Sequence, residues 1–198
     1  MTDIIDRLAG VTPGGTVDAL RRHRPATRDN AQASYHALFE NIEEASATLA
    51  ERAAVAQFVA ILHDDEVAAA HYAALTRESG GEALERAVTE LAEAGRTEGP
   101  YGEYPAEGPL AGESVAGLRF AVDDHAREIL GERTAASLEH AHLLVFRPRE
   151  SSVAALTALG AAGWSTDGIV TLSQLVSFLA FQLRVAAGLR LLDTEDAA

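Results

Sequence analysis

The sequence predicts an all-α protein, and three observations carry that expectation. Apolar residues recur mostly at helical spacing rather than in alternation. Alanine, the best helix former, is abundant. No strand–helix–strand alternation appears, and the one strand-like stretch, Leu143–Phe146, is too short to carry a sheet.

The elements follow in order. A short helix is expected over Asp3–Leu8, then a turn at Gly10–Gly15 containing Pro13, then a second short helix near Val17–Arg24. A longer helix follows over about Asp29–Glu43. Ser46 or Thr48 is placed to cap the next, Leu49–Leu62. Glu51 stands three residues after Thr48, where a capping box needs its carboxylate. The cluster His63-Asp64-Asp65-Glu66 opens a helix through Leu75, since acids in a first turn favour the helix dipole. Glu82–Ala94 reads as one more helix, closed by Gly95. Arg96–Ser114 is dense in glycine and proline and cannot hold a long helix. It reads as a linker or lid between two helical halves, with Tyr101 and Tyr104 embedded. Helices near Val122–Leu130 and Glu132–Val145 follow, a break at Arg147-Pro148-Arg149, and a helix over Ser151–Gly160. A short helix from Asp167 and a last one over Thr171–Leu192 complete the chain. In that last helix Val176, Leu179, Ala180, Leu183, Ala187 and Leu191 are expected to form one apolar stripe. The organisation is one domain: residues 1–28 as an N-terminal arm, 29–95 as a first half, 96–114 as the linker and 115–198 as a second half.

Composition narrows function. The chain has 198 residues, 16 Lys+Arg against 30 Asp+Glu and a net charge of −14. That balance argues against nucleic acid, whose phosphates must be met by cations, and against anionic lipid. There is no cysteine, which removes disulfides, thiolate metal sites and thiol redox chemistry together. Leu172–Leu192 is apolar but interrupted by Ser173, Gln174, Ser177, Gln182, Arg184 and Arg190, which argues against a membrane span. No targeting segment is visible, since Met1–Arg7 is acidic and amphipathic, so a cytoplasmic location is the expectation.

Three groups of residues could carry chemistry. Asp64 and His71 are seven apart and share a helix face. Glu51 could join them from the preceding helix, making a carboxylate–imidazole set suited to proton transfer. The alternative is that Glu51 only caps its helix and His71 is an ordinary half-buried histidine. Glu139 and His142 form an E-x-x-H pair, the spacing used twice in di-iron bundles, but only one copy is present. His63 with Glu66 is a similar lone pair. Trp164 before Ser165-Thr166-Asp167 reads as a hydrophobic staple at a helix start. Nucleotide-binding glycine loops, G-x-S-x-G and H-E-x-x-H are lacking. The motifs imply no cofactor and no bound metal.

The helix pair LAERAAVAQFVAILHDDEVAAAHYAAL, residues 49–75, resembles the core motif of the AhpD-like superfamily. That group includes the alkylhydroperoxidase AhpD proteins, uncharacterised peroxidase-related enzymes and carboxymuconolactone decarboxylase (CMD). The end of the chain, Ala158–Leu192, and Ser34-Tyr35-His36-Ala37-Leu38-Phe39 are similar to the peroxidase-related members. The likeness runs closest to two-half CMD domain proteins. It implies an AhpD-like helical fold, with the family glutamate at Glu51, the histidine at His71 and the two cysteine places at Asp64 and Val67. The C-x-x-C motif is absent, so the thiol chemistry of the redox members does not transfer. The resemblance leaves three readings: a non-redox enzyme using Glu51 and His71 for proton transfer with Asp64 nearby, a catalytically degenerate homologue that binds a ligand or an active relative, and a peroxidase served by an external thiol or metal. Superfamily members form trimers or hexamers, which implies a homo-oligomer here, formed through Thr171–Leu192.

Overall fold

The computed structural model describes residues 3–195, so residues 1–2 and 196–198 at the ends of the outer segments lie outside it. Among the described residues there are ten α-helices and no strand. They are α1 (Ile4–Ala9), α2 (Thr16–Arg22), α3 (Pro25–Phe39), α4 (Leu49–Leu62), α5 (Glu66–Gly80), α6 (Glu82–Ala94), α7 (Asp124–Leu130), α8 (Glu132–Phe146), α9 (Val153–Ala161) and α10 (Thr166–Glu195).

Helix α4 is the centre. Its sequence is apolar on every side, and a helix of that kind has to be buried on every side. Every residue from Arg52 to Leu62 is buried, and α5, α6, α8 and α10 all pack on it. Gln57 is its polar intruder. The Gln57 amide donates to the Glu85 carbonyl at 2.9 Å and the Thr89 hydroxyl at 2.8 Å, which ties α4 to α6. The start of α4 is the expected capping box: the Thr48 hydroxyl accepts from the Glu51 amide, and the Glu51 carboxylate accepts from the Thr48 amide at 2.9 Å. Asp65 caps α5 through the Ala68 amide, while Asp64 before it takes the left-handed conformation (φ 57°), so the two helices fold back over three residues.

Several boundaries depart from the sequence reading. Helix α3 begins at Pro25, because proline's fixed φ suits the first helical position, where no amide hydrogen is needed, and it ends at Phe39, before Glu43. Helix α5 runs on to Gly80, through Arg77 and Glu78. The stretch Leu143–Phe146 is the last turn of α8. The two helices expected at the C-terminus are one, Thr166–Glu195. Its buried stripe is Leu172, Leu175, Val176, Leu179, Leu183, Ala186 and Leu189. Ala187 and Leu191 lie outside it, exposed, because repeated steps of four residues rotate by about 40° each and leave the core side. By length and composition Thr166–Leu192 could cross a membrane, with mean hydropathy 1.6 over its most apolar window. One face of it packs on α4, and its buried Gln182 accepts a 2.6 Å hydrogen bond from the Tyr72 hydroxyl of α5.

The N-terminal segment is built into the core. Ile4, Ile5, Leu8 and Val17 are buried, and α1 packs on α10. A cluster of charges joins α1, α2 and α3. Arg21 forks onto Asp3 with contacts of 2.9 and 3.1 Å and also meets Asp6. Arg28 reaches Asp6 at 2.9 Å and Asp18 at 2.7 Å. Asp18 is held well below the usual carboxylate range, first by its hydrogen bond from Arg22, then by the Gly14 amide and Arg28.

The Gly/Pro-rich segment carries one 3-10 turn, Ala111–Glu113, and a single bridge between Gly102 and Val115. Its tyrosines hold the segment together. The Tyr101 ring lies so close to Gly117 that an added β-carbon there would sit 2.0 Å from it. Tyr104 stacks under the Arg149 guanidinium, 4.2 Å from the ring centre.

Candidate functional site

The structure gives the three residues singled out for proton transfer three different settings. Glu51, in the first turn of α4, accepts from Arg133 of α8 at 2.7 and 3.1 Å as well as from Thr48. Burial alone would raise its pKa, but the Arg133 hydrogen bond and charge and the Thr48 amide outweigh that, and the net shift is downward. Arg133 also bonds the Gly163 carbonyl and lies 4.4 Å above the ring of Trp164, whose indole donates to the Arg133 carbonyl. Glu51 is thus the anchor of a structural knot between α4 and α8. Asp64 is largely exposed and pairs with Arg96 at 2.6 Å. His71 bonds the Tyr35 hydroxyl of α3 at 2.9 Å. The α4–α5 turn sets His71 level with about residue 57, so Glu51 stands roughly six residues, about 9 Å, farther along α4. No hydrogen bond joins any two of the three among the described residues; each is bonded to a different partner.

Glu51→Ala is expected to cost about 2–3 kcal/mol, about 1 of it from the helix cap and the rest from leaving Arg133 without its acceptor. Urea unfolding checks this. A variant as stable as wild type would remove the structural role.

The E-x-x-H pair is also divided. Glu139 accepts from the Val122 amide at 2.9 Å and from Arg127 at 2.5 Å, clamping α7 to α8. His142 bonds the Gly95 carbonyl at 2.9 Å and stacks on Phe120. No group of three or more His, Asp or Glu side chains is placed to hold a metal ion among the described residues.

A groove of about 500 Å³ opens beside the α4–α5 turn, a size that suits a small organic ligand. Leu62, Leu144, Val145, Phe146, Val176 and Ala180 make its apolar walls, and Gly99 and Pro100 of the linker close one side. Two polar groups matter there. His63 caps the end of α4, and its Nδ1 lies 2.9 Å from the Val59 carbonyl. A carbonyl can only accept, so the proton sits on Nδ1 and Nε2 carries a free lone pair. Arg184 of α10 bonds only the Ala180 carbonyl of its own helix, at 3.3 Å, and pairs with no carboxylate among the described residues. Burial, and then the Arg184 charge, hold His63 below the ordinary imidazole pKa of 6.5 against the pull of Val59 and Asp65. At neutral pH the ring is therefore a neutral base beside an unpaired cation, in a mostly apolar groove.

Sequence reasoning weighed His63 only as a partner of Glu66, and Arg184 only as an interruption of an apolar helix. One signal was readable. Arg184 has no acid three or four residues away on either side, so its own helix offers no ion pair.

His71 is pushed down to about 4 by burial and then by Arg7, and burial lowers His63, His140 and His142 as well. Each is neutral when folded and charges more readily when unfolded. Stability is therefore complete above the unfolded value of 6.5 and is lost as pH falls towards about 4. Urea midpoints that hold steady down to about pH 5 would contradict this.

No family model and no curated protein matches the chain.

Proposed function

We propose that this chain binds a small carbonyl compound in the groove beside the α4–α5 turn and moves a proton on it by acid–base chemistry, on a scaffold of AhpD-like, CMD-related type. The observation that carries the reading is that His63 and Arg184 line the same groove. Nε2 takes a proton from the carbon next to the carbonyl. The C–H electron pair passes into the carbonyl, whose oxygen becomes an enolate beside the guanidinium. Returning the proton to carbon completes an exchange or an isomerisation. The exposed guanidinium attracts the enolate oxygen as its charge forms.

The complete lack of cysteine supports the non-redox branch of the resemblance over a thiol peroxidase. The all-helical fold and the α4–α5 hairpin are compatible with the AhpD-like reading. Exposed Val170 and Phe181 on α10 support assembly into a homo-oligomer through that helix.

The test is carbon-acid exchange in D2O. Small 2-keto acids, β-keto acids and lactones are incubated with the protein, and loss of their α-proton signals is followed by NMR. At least one member is expected to exchange above the buffer rate, and Arg184→Met is expected to slow it. Exchange at the buffer rate for every member would overturn the reading.

A further inference from the structure

A second cavity, independent of the His63 groove, lies between α8, α9 and the segment leading into α7. It encloses about 220 Å³. Ala136, Leu143, Ala155 and Leu159 line it, and the Phe120 ring, stacked on His142 at 4.9 Å between centres and 19° between planes, adds a flat wall.

Five ionisable side chains reach its lining: Arg119, Glu139, His140, His142 and Arg147. Four are already partnered. Arg119 and Arg147 both pair with Glu150, at 3.2 and 2.9 Å. Glu139 is held by Arg127 and His142 by the Gly95 carbonyl. His140 differs. It is 5% exposed, its Nε2 is sealed from solvent without a partner, and neither ring nitrogen takes part in a hydrogen bond among the described residues. A buried polar group left so is costly, and the structure around it offers nothing to relieve it.

We propose that this cavity is a binding site for a small neutral aromatic alcohol of phenol type, with its ring against Phe120 and its hydroxyl bonded to Nδ1 of His140, the ring nitrogen that is not sealed. Size sets the first limit. An engineered apolar cavity of roughly 150 Å³ accepts benzene, so the present volume takes one ring and a few further atoms. Polarity sets the second. A water in such a space wants two to four polar partners, whereas a hydroxyl on an apolar body needs one. Charge sets the third. Burial keeps His140 neutral, so a ligand bonded to it needs no charge of its own.

Phenol and toluene, matched in shape and differing in the hydroxyl, are titrated against the full chain by ligand-observed NMR. Phenol is expected to bind, with toluene about tenfold weaker. His140→Phe keeps a ring in place but removes both nitrogens, and it is expected to bind the two alike. Ala155→Phe, which fills the cavity from α9 and leaves His140 untouched, is expected to lose both. The proposal fails if wild type binds neither compound or both equally, if His140→Phe keeps the preference, or if Ala155→Phe binds as wild type does.

Discussion

Replacing His63 with Gln is expected to lower carbon-acid exchange by roughly 10²–10⁴-fold, the usual worth of a positioned general base. The substitution is a clean probe because the Gln amide can still donate towards the Val59 carbonyl, while nothing on it can accept a proton near neutral pH. Stability is therefore expected to change little, so a loss of exchange cannot be ascribed to unfolding. The pH profile supplies a second readout. Burial and Arg184 depress the folded pKa of His63, so the reactive neutral ring persists below the ordinary value of 6.5. Exchange is expected to be flat around neutrality and to fall only on the acid side of that value. Arg184→Met removes the repelling cation, so it should shift the acid limb towards higher pH while also slowing the reaction. A His63→Gln variant that exchanges at the wild-type rate, or a limb that does not move in Arg184→Met, would show that the two side chains do not act together.

Local rules made much of the fold legible. The Thr48–Glu51 spacing marked the start of α4. Where the reading slipped, a tertiary contact decided. Helix α10 continues across residues 166–171, where a break was expected. Gly168 there lies against the Ser46 carbonyl so closely that a β-carbon would approach it to 2.6 Å. Glu51 shows the same limit at the site. Its capping role was visible three residues away, but its second partner, Arg133, comes from 82 residues on, and that contact makes it a strut. His63 and Arg184 are still farther apart in the chain. Their groove exists only because α10 packs back onto α4, which periodicity can suggest but not aim.

The largest stability effect is expected at Arg21. Its side chain is 6% exposed and lies between Asp3 and Asp6, exposed by 4% and 2%. Arg21→Met removes the guanidinium and leaves two buried carboxylates, with Arg28 reaching only Asp6 of the pair. Breaking one member out of such a buried set costs about 3–5 kcal/mol, far more than a surface pair, whose median is about 0–1 kcal/mol. A triple variant that also carries Asp3→Asn and Asp6→Asn is expected to recover part of the loss, because neutral amides do not need the missing charge. Urea unfolding of the wild type, the single variant and the triple variant measures this. If the single variant loses under about 1 kcal/mol, the cluster is solvated as a surface pair would be, and α1 and α2 are held by Ile4, Ile5, Leu8 and Val17 alone.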